Sequence, residues 1–323
     1  MGKRRIRNLK ALNENNIIGF DIRDDRCKEA NDNYKIKIHN NLADALKEVP
    51  DVMIISTPPD LHMYYAQIAI SNNIHFFTEA NVVKDGMKEV ISTLKNSKII
   101  GVPSCTLRFH PIVIKIQEIL EKENLGKPLT LIHHYGQYLP DWHPWEDIKE
   151  YYVSKKETGA GREIVPFELT WITKIFGPIK DTIGNKAKLT NLETDIDDMY
   201  NVLLTFENGM LGVLIVDVIS RSPFREAKIL TENGVILANW TEKTVKYFHY
   251  EKGWKSYEAD TGKPEKGYIH GEGPYINEIN GFLNLIKNHE TYPYSFEEDL
   301  KNLELLGIIE KSSNEKTVQN INS

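Results

Sequence analysis

Short apolar runs alternate with helix-length segments through the first hundred residues of the chain. The runs are rich in β-branched residues and predict strands at 17–21, 36–38, 52–57, 74–78 and 99–103. The intervening segments predict helices at 43–49, 61–71 and 87–96, after a first helix with Ile6, Leu9 and Leu12 on one side. This alternation is typical of a parallel sheet covered by helices on both faces.

After residue 104 the pattern changes to longer strands joined by tight turns. A predicted helix from 111 to about 123 leads into a predicted strand at 129–138. Asn-Gly pairs at 208–209 and 233–234 lie between apolar runs, which strongly indicates hairpins. Further strands are predicted at 202–206, 210–219, 226–230 and 235–240, and two terminal helices at 275–288 and 297–312. We therefore predict an α/β protein, with a parallel domain over 1–104 and an α+β domain with a large antiparallel sheet over 105–323.

Composition and charge limit the kinds of partner that the protein is expected to bind. The chain has 323 residues and a net charge of −6, which opposes a general nucleic-acid-binding surface. We interpret the basic cluster Lys3-Arg4-Arg5 as a solvated face of the first helix. No apolar run approaches the roughly 20 residues that cross a bilayer, and no secretory signal is evident, so the expected location is the cytoplasm, without a membrane partner. No His, Cys or carboxylate grouping has metal-ligand spacing, so no metal is predicted.

Polar residues follow several of the predicted strands. Asp21 ends the first strand, Thr57-Pro58-Pro59 ends the third and leads to His62, and Glu79 follows the fourth. Ligands of open α/β sheets bind outside the carboxyl ends of strands, where a carboxylate can accept a hydrogen bond from a ribose hydroxyl. Taken alone, the Thr57 segment is equally well explained as a plain turn. The predicted cofactor-binding residues are Asp21, Thr57, Pro58, His62 and Glu79.

Together these motifs resemble the Gfo/Idh/MocA oxidoreductases, whose strands end in a Thr-Pro-Pro-x-x-His turn and then in a Glu-Lys-Pro motif. The resemblance extends through Arg108-Phe109-His110-Pro111 to Glu297-Glu298-Asp299-Leu300. It implies a Rossmann-like first domain, NAD or NADP as cofactor, and a homo-oligomer formed through the open face of the antiparallel sheet. It also adds Gly2 and Arg108 to the predicted cofactor-binding residues. Asp21 favours NAD because a carboxylate repels a 2′-phosphate, although Arg23 keeps NADP open.

The start of the chain departs from the family pattern. Family members open with a strand, a Gly-x-Gly-x-x-Gly turn and a helix, and here Met1 and Gly2 match the last two positions of that turn. In the usual strand order the missing strand is central, so the strands at Ile17 and Val52 would lack a shared neighbour. We expect a start codon assigned too late, or a natural truncation, rather than a working variant.

The second departure concerns the Glu-Lys-Pro motif, which is Glu79-Ala80-Asn81 here. In the family, the lysine is thought to exchange a proton with the substrate hydroxyl, and alanine has no proton to exchange. General acid–base catalysis typically contributes about a hundred- to ten-thousand-fold in rate. The resemblance still implies that Glu79 lines the nicotinamide ribose.

Residues 159–169 replace a family segment that carries a histidine, and they contain none. The nearest carboxylates are Glu163 and Glu168, and we predict Glu163 as a catalytic residue. Pro166 suits the first position of a helix, which would place Glu168 in the first turn, either as a helix cap or as a substrate ligand. Arg162 precedes that predicted helix and is a second substrate-binding candidate.

The loop at 135–147 is dense in aromatic residues and proline. Sugar sites combine aromatic platforms with short polar groups and carboxylates. We therefore predict that Tyr138, Asp141, Trp142 and Trp145 bind substrate, with His143 as a catalytic acid–base. The alternative is a proline-fixed loop whose tryptophans cap the core.

The leading hypothesis is an NAD(P)-dependent oxidoreductase-like protein acting on a sugar or nucleotide-sugar, in carbohydrate or surface-polysaccharide biosynthesis. His143 or Glu163 would take the role of the missing lysine. The first alternative is a non-catalytic family member that serves as a sugar-binding or partner subunit, which Ala80 favours. A cofactor-assisted lyase or hydrolase is the second alternative.

Overall fold

The computed structural model describes residues 1–142, 147–266, 268 and 270–321. The chain divides into two compact units. Unit 1 comprises Met1–Glu79, Asp85–Ser104 and Tyr275–Phe296, and unit 2 comprises Ala80–Lys84, Cys105–Pro274 and Glu297–Ser323. The segment 275–296, which the sequence prediction placed in the second domain, therefore belongs to unit 1.

Unit 1 is a parallel α/β unit, as predicted. Its elements up to residue 104 are α1 (Gly2–Ala11), β1 (Ile18–Phe20), α2 (Asp24–Tyr34), β2 (Lys37–His39), α3 (Leu42–Leu46), β3 (Val52–Ile55), α4 (His62–Ser71), β4 (His75–Thr78), α5 (Met87–Lys95) and β5 (Gly101–Pro103). The strands β1 and β2 form one parallel pair, and β3, β4 and β5 form a separate parallel sheet with β4 in the centre. Helix α2 was not predicted because it buries no residue and so carries no apolar periodicity.

The remaining elements complete both units. They are α6 (Pro111–Lys122), β6 (Pro128–Gly136), α7 (Ala160–Phe176), β7 (Ile179–Ala187), β8 (Met199–Phe206), β9 (Leu211–Asp217), β10 (Phe224–Thr231), β11 (Gly234–Asn239), β12 (Thr244–His249), β13 (Gly253–Glu258), α8 (Gly273–Asn288), α9 (Phe296–Glu315) and β14 (Gln319–Asn320). Almost all of α8 lies in unit 1, and almost all of α9 lies in unit 2. None of the described helices is both long and apolar enough to span a membrane.

A nine-stranded sheet dominates unit 2, in the order β13-β12-β11-β10-β6-β9-β8-β7-β14. All neighbours are antiparallel except β6 and β9. Both predicted hairpins are confirmed, because the turn at Gly209 joins β8 to β9 and the turn at Gly234 joins β10 to β11. Gly209 has a φ of +85°, a conformation that favours glycine. The sequence prediction missed β7, β12, β13 and β14.

The two faces of this sheet differ in burial. Alternate residues such as Leu131, Leu214 and Ile229 are fully buried on one face, the inner face, where they join the core with Leu169 and Trp171 of α7. The other face, the open face, carries exposed apolar side chains. The most exposed of them on the central strands are Ile132, Ile183, Leu203 and Leu211.

Helix α7 starts earlier than predicted. It begins at Ala160, so Pro166 lies inside the helix and Glu168 is not in its first turn. The helix already includes the residues before the proline, because Ile164 and Val165 bury their side chains on its apolar face. The glycines before them allow a close approach, since a Cβ on Gly161 would lie 2.9 Å from the carbonyl oxygen of Asp197. The first-turn position predicted for Glu168, and with it the helix-cap interpretation, is therefore wrong.

Candidate functional site

Polar side chains follow each strand of the three-stranded sheet in unit 1. Ser56 follows β3, Glu79 follows β4 and Ser104 follows β5. Ser56 Oγ donates a hydrogen bond to Glu79 Oε1 at 2.8 Å, and Ser104 Oγ donates to Glu278 Oε1 of α8 at 2.8 Å. Because parallel strands end at the same edge of a sheet, these residues assemble one polar site there.

Arg5 of α1 joins the two carboxylates of this site. Its Nε and Nη2 atoms donate to the two oxygens of Glu79 at 2.8 and 2.7 Å, and Nη2 also lies 2.8 Å from Glu278 Oε2. Arg5 is only 2% exposed, and its guanidinium lies over the ring of Phe77. We name the five residues Ser56, Glu79, Arg5, Glu278 and Ser104 the strand-end network.

The network corrects the interpretation of the basic cluster. Arg4 and Arg5 are buried, whereas Lys3 makes a solvent-exposed ion pair with Glu29. Arg4 lies over the ring of Tyr275, at 4.0 Å from the ring centroid. The solvated-face prediction is therefore wrong for both arginines, because their partners come from sequence positions that a helical pattern does not reveal.

Arg5 also determines the charge state of Glu79. Burial by itself raises the pKa of Glu79, but the positive charge and hydrogen bonds of Arg5 outweigh it and hold the pKa below its ordinary value of 4.5. Glu79 is therefore a fixed hydrogen-bond acceptor at neutral pH. A carboxylate held in this way does not serve as a proton donor.

The Thr-Pro-Pro turn lies beside this network. His62 is buried, and its Nε2 atom lies 3.0 Å from the carbonyl oxygen of Thr57, which fastens the turn to the start of α4. Thr57 Oγ1 is also buried and has no hydrogen-bond partner among the described residues. Gly2 faces Ser56, and an added Cβ would meet only the Ser56 Cβ, at 3.8 Å.

Two other predicted cofactor residues lie elsewhere. Asp21 directly follows β1 in the other sheet of unit 1, and its Oδ1 atom accepts a hydrogen bond from Arg23 N at 2.9 Å. Arg108 lies in unit 2, where it donates to the carbonyl oxygen of Thr170 at 2.7 Å and pairs with Glu298 at 3.1 Å. These contacts anchor Arg108 between α7 and α9.

The boundary between the units falls inside the Glu79-Ala80-Asn81 motif. Beyond it, Asn81 donates to Asp299 Oδ2 at 2.7 Å, and Arg162 donates to the carbonyl oxygen of Val82 at 2.9 Å. Arg162 also pairs with Glu310, at 2.8 Å. Arg162 therefore fixes the segment after the motif onto α7, and most of its donors are used in doing so.

Glu163 occupies the first turn of α7, where a negative charge interacts favourably with free backbone N–H groups. Tyr152 Oη donates a hydrogen bond to Glu163 Oε1 at 3.2 Å. The residue is half-buried, and its Oε2 atom is among the buried ones. The geometry therefore pairs a carboxylate with a phenol near the helix start.

The aromatic loop is only partly described. Tyr138 lies under the guanidinium of Arg221, 3.7 Å from the ring centroid, and Asp141 is exposed. Trp142 packs against two hydrophobic clusters of unit 2, which agrees with the core-capping alternative for this residue. His143 and Trp145 lie outside the described residues.

Glu168 is fully buried on the inner face of the sheet. It accepts hydrogen bonds from His133 Nε2 at 2.7 Å and Trp171 Nε1 at 3.0 Å, and Arg225 Nη2 lies 2.9 Å from Oε1. Burial raises its pKa, but Arg225 and His133 outweigh that effect and lower the pKa to about 2. We name His133, Glu168, Trp171 and Arg225 the Glu168 cluster.

Sequence reasoning missed His133 and Arg225 as partners of Glu168. His133 and His134 are adjacent on β6 and point to opposite faces of the sheet, so His134 pairs with Asp217 instead. Within the described ranges, no group of three or more His, Cys, Asp or Glu side chains is arranged to hold a metal ion.

Comparison with solved structures identifies the fold. An oxidoreductase from Agrobacterium radiobacter, in complex with NAD+, L-tartaric acid and magnesium, superposes with a TM-score of 0.87 at 14% identity, covering 99% of this chain and 95% of that one. Levoglucosan dehydrogenase in complex with NADH gives 0.86 at 15%, covering 99% and 96%. A probable dehydrogenase from Thermotoga maritima gives 0.80 at 18%, also covering 99% and 96%. The chain therefore has the fold of these dehydrogenases.

The sequence of unit 2 gives a match to a family. Residues 113–237 match the model of the GFO/IDH/MocA C-terminal domain. The resemblance recognised from the strand-end motifs is thereby confirmed. No curated protein matches the sequence.

The strand-end network predicts a pH-dependent stability. Replacing Arg5 by Met leaves two buried carboxylates without their cation, and we expect a loss of about 3 kcal/mol in the free energy of unfolding at neutral pH. Because the folded-state pKa of Glu79 lies below 4.5, this stabilisation is present above that pH and is lost as the pH falls through the folded-state pKa. The difference between Arg5→Met and wild type should therefore shrink in acid, as measured by urea unfolding at several pH values.

Lys3→Met is the matched control on the same helix. It removes a solvent-exposed ion pair and should change the free energy of unfolding by no more than about 0.5 kcal/mol. An Arg5→Met effect as small as that of the control would contradict the assigned role of Arg5.

Proposed function

We propose that the protein binds a nicotinamide dinucleotide at the strand-end network and acts as an oxidoreductase on a sugar or a nucleotide-sugar. The observation that carries this proposal is the meeting of Gly2, Thr57 and Glu79 at the carboxyl ends of parallel strands. Solved proteins of the same fold were crystallised with NAD+ or NADH, which supports the choice of ligand.

The residues present fit such a cofactor. Thr57 Oγ1 is a buried hydroxyl without a partner among the described residues, as expected of a group reserved for a ligand. Gly2, whose added Cβ would make an ordinary van der Waals contact with Ser56 Cβ at 3.8 Å, would present the start of α1 to a phosphate. His62 would hold the turn that presents Thr57 and Pro58. Asp21 would accept from a ribose hydroxyl, which favours NAD.

A bound nicotinamide supplies hydride transfer, so the chain has to supply the proton transfer. Ala80 has no titratable group, and Arg5 keeps Glu79 ionised. The proton therefore passes through His143 or Glu163 in this proposal. Glu163 is supported by its partial exposure and by the neighbouring hydroxyl of Tyr152.

The substrate class is supported by the composition of the aromatic loop. Tyr138, Asp141, Trp142 and Trp145 would contact the sugar, with Arg108, Arg162 and Glu168 acting as anchors of the surrounding structure. A levoglucosan dehydrogenase of the same fold was crystallised with levoglucosan and with L-sorbose. A role in carbohydrate or surface-polysaccharide biosynthesis and a cytoplasmic location stay predictions.

Ala80 supports one alternative, a non-catalytic sugar-binding or partner subunit. A single spectroscopic test distinguishes the oxidoreductase from this alternative. Purified protein is incubated with NAD+ and a panel of sugars, and the absorbance of reduced nicotinamide is followed. Formation of NADH with any sugar supports the oxidoreductase, whereas binding of NADH and sugar without any redox change supports the alternative.

Cofactor binding is tested at Thr57. We expect Thr57→Val to weaken NADH binding by about tenfold, because it removes one hydrogen bond to the ligand. The free energy of unfolding should stay the same or rise, because valine removes an unpaired buried hydroxyl. Both quantities are measured, by titration calorimetry and by urea unfolding. Thr93→Val, on the exposed side of α5, is the control, and unchanged NADH affinity in Thr57→Val would refute the assignment.

Proton transfer is tested with His143→Ala and Glu163→Gln. The variant that removes the acid–base group should lower turnover by about a hundredfold or more and leave NADH affinity nearly unchanged. The other variant serves as its control. Turnover at the wild-type level in both variants would remove both residues from the mechanism.

We also propose that the open face of the nine-stranded sheet binds a second copy of the chain. Its central strands expose Ile132, Leu203 and Leu211, and a patch of this kind is unusual on a monomer. The same face carries Glu226 and Lys228 on one strand, so two copies related by a two-fold axis can bring opposite charges together.

Leu203→Asp tests this interface. A buried carboxylate at the centre of a dimer should shift the protein to the monomeric state, as measured by light scattering during size-exclusion chromatography. Leu189→Asp is the control, because Leu189 is equally exposed but lies outside the sheet. An unchanged molecular mass for Leu203→Asp would exclude this face as the interface.

A further inference from the structure

The Glu168 cluster contains one more positive charge than negative charge. His133 Nδ1 lies 2.8 Å from the carbonyl oxygen of Glu226, and His133 Nε2 lies 2.7 Å from Glu168 Oε2. Both of these oxygens are acceptors, so the two hydrogen bonds form together only when each ring nitrogen carries a proton. His133 and Arg225 then contribute two positive charges against the single negative charge of Glu168.

Arg225 has donor capacity that the described residues do not use. It is 8% exposed, and its Nε atom is buried without a hydrogen-bond partner among them. The contact of Arg225 Nη2 with Glu168 Oε1, at 2.9 Å, is an ion pair by distance, but Oε1 accepts no hydrogen bond. A buried donor left unpaired is unfavourable by about 1–3 kcal/mol, which indicates a group reserved for a ligand.

The surroundings of Arg225 restrict what that ligand can be. The guanidinium lies 4.7 Å from the ring centroid of Tyr135 and 5.8 Å from that of Phe167. Nearby, burial and the charge of Arg225 lower the pKa of His110 to about 3, so His110 is neutral and adds no charge. A planar guanidinium with an unpaired donor suits a planar anion, and the two neighbouring rings suit the apolar face of a sugar.

We propose that Arg225 binds the carboxylate of an acidic sugar, so that the substrate of this protein is a uronic or an aldonic acid. The adjacent Nε and Nη donors of a guanidinium match the two oxygens of a carboxylate. One carboxylate also balances the one excess positive charge of the cluster, whereas a phosphate group would bring more negative charge than the cluster can neutralise. This inference rests on the proposed action on sugars and names the substrate class.

The test compares acidic and neutral sugars of matched shape. Binding of D-glucuronate and D-glucose, and of D-gluconate and D-glucitol, is measured by titration calorimetry on the wild-type protein. We expect at least one acid to bind about tenfold or more tightly than its neutral counterpart, because a charge-assisted bidentate contact is added. The absence of any preference for the acid in both pairs would overturn the proposal.

Variants at Arg225 connect the preference to this residue. Arg225→Gln should reduce the ratio of affinities to within about twofold, and Arg225→Lys should give an intermediate ratio, because lysine keeps the charge but not the planar fork. Lys180→Gln removes the same charge from an exposed position of unit 2 and should leave the ratio unchanged. A full acid preference in Arg225→Gln would overturn the assignment to Arg225.

Two further measurements distinguish a misfolded variant, a wrong substrate class and a wrong cofactor site. Thermal unfolding reports whether Arg225→Gln is folded, and if it is not, Arg225→Lys and the wild-type comparison decide the question. NADH binding is measured on the same samples. Absence of any acid preference in the wild-type protein, with intact NADH binding, refutes this inference alone. Absence of NADH binding in the wild-type protein, with an acid preference that depends on Arg225, refutes the proposed cofactor site and supports the carboxylate site.

Discussion

The buried arginine of α1 is the interaction on which the arrangement of unit 1 depends. A guanidinium removed from water is strongly unfavourable unless carboxylates surround it, and Arg5 has two of them. One partner is 74 residues away in the sequence and the other 273 residues away, so a single side chain ties α1 to the end of β4 and to α8. The polar edge of the sheet is fixed by these contacts before any ligand arrives.

That constraint also limits the chemistry of the site. Glu79 follows β4 directly, and Arg5 holds it as an anion. The next residue, Ala80, supplies no proton. In the proposed function Glu79 therefore acts as an acceptor and not as the group that transfers a proton. Ala80 in place of the motif lysine and the buried Arg5 beside Glu79 therefore both leave this edge of the sheet without a proton donor.

The strand-end network and the Glu168 cluster have opposite ratios of positive to negative side chains. In unit 1 one guanidinium serves two carboxylates, and in unit 2 one carboxylate serves both a guanidinium and an imidazole. Buried ion clusters add little net stability compared with apolar packing, so their presence is better explained by positioning. The strand-end network positions an acceptor, and the Glu168 cluster positions a donor whose capacity is not used within the described residues.

The sequence by itself determined the fold class, the alternation of strands and helices in the first hundred residues, both Asn-Gly hairpins and the Thr-Pro-Pro turn, because these depend on local periodicity and turn chemistry. It could not identify α2, which buries nothing, or the start of α7, where tertiary packing overrides the proline. Only the tertiary structure decided the environments of Arg5, Glu79, Glu168 and Arg225. Their burial and charge balance come from partners distant in sequence, and no local pattern records which distant carboxylate will face a given arginine.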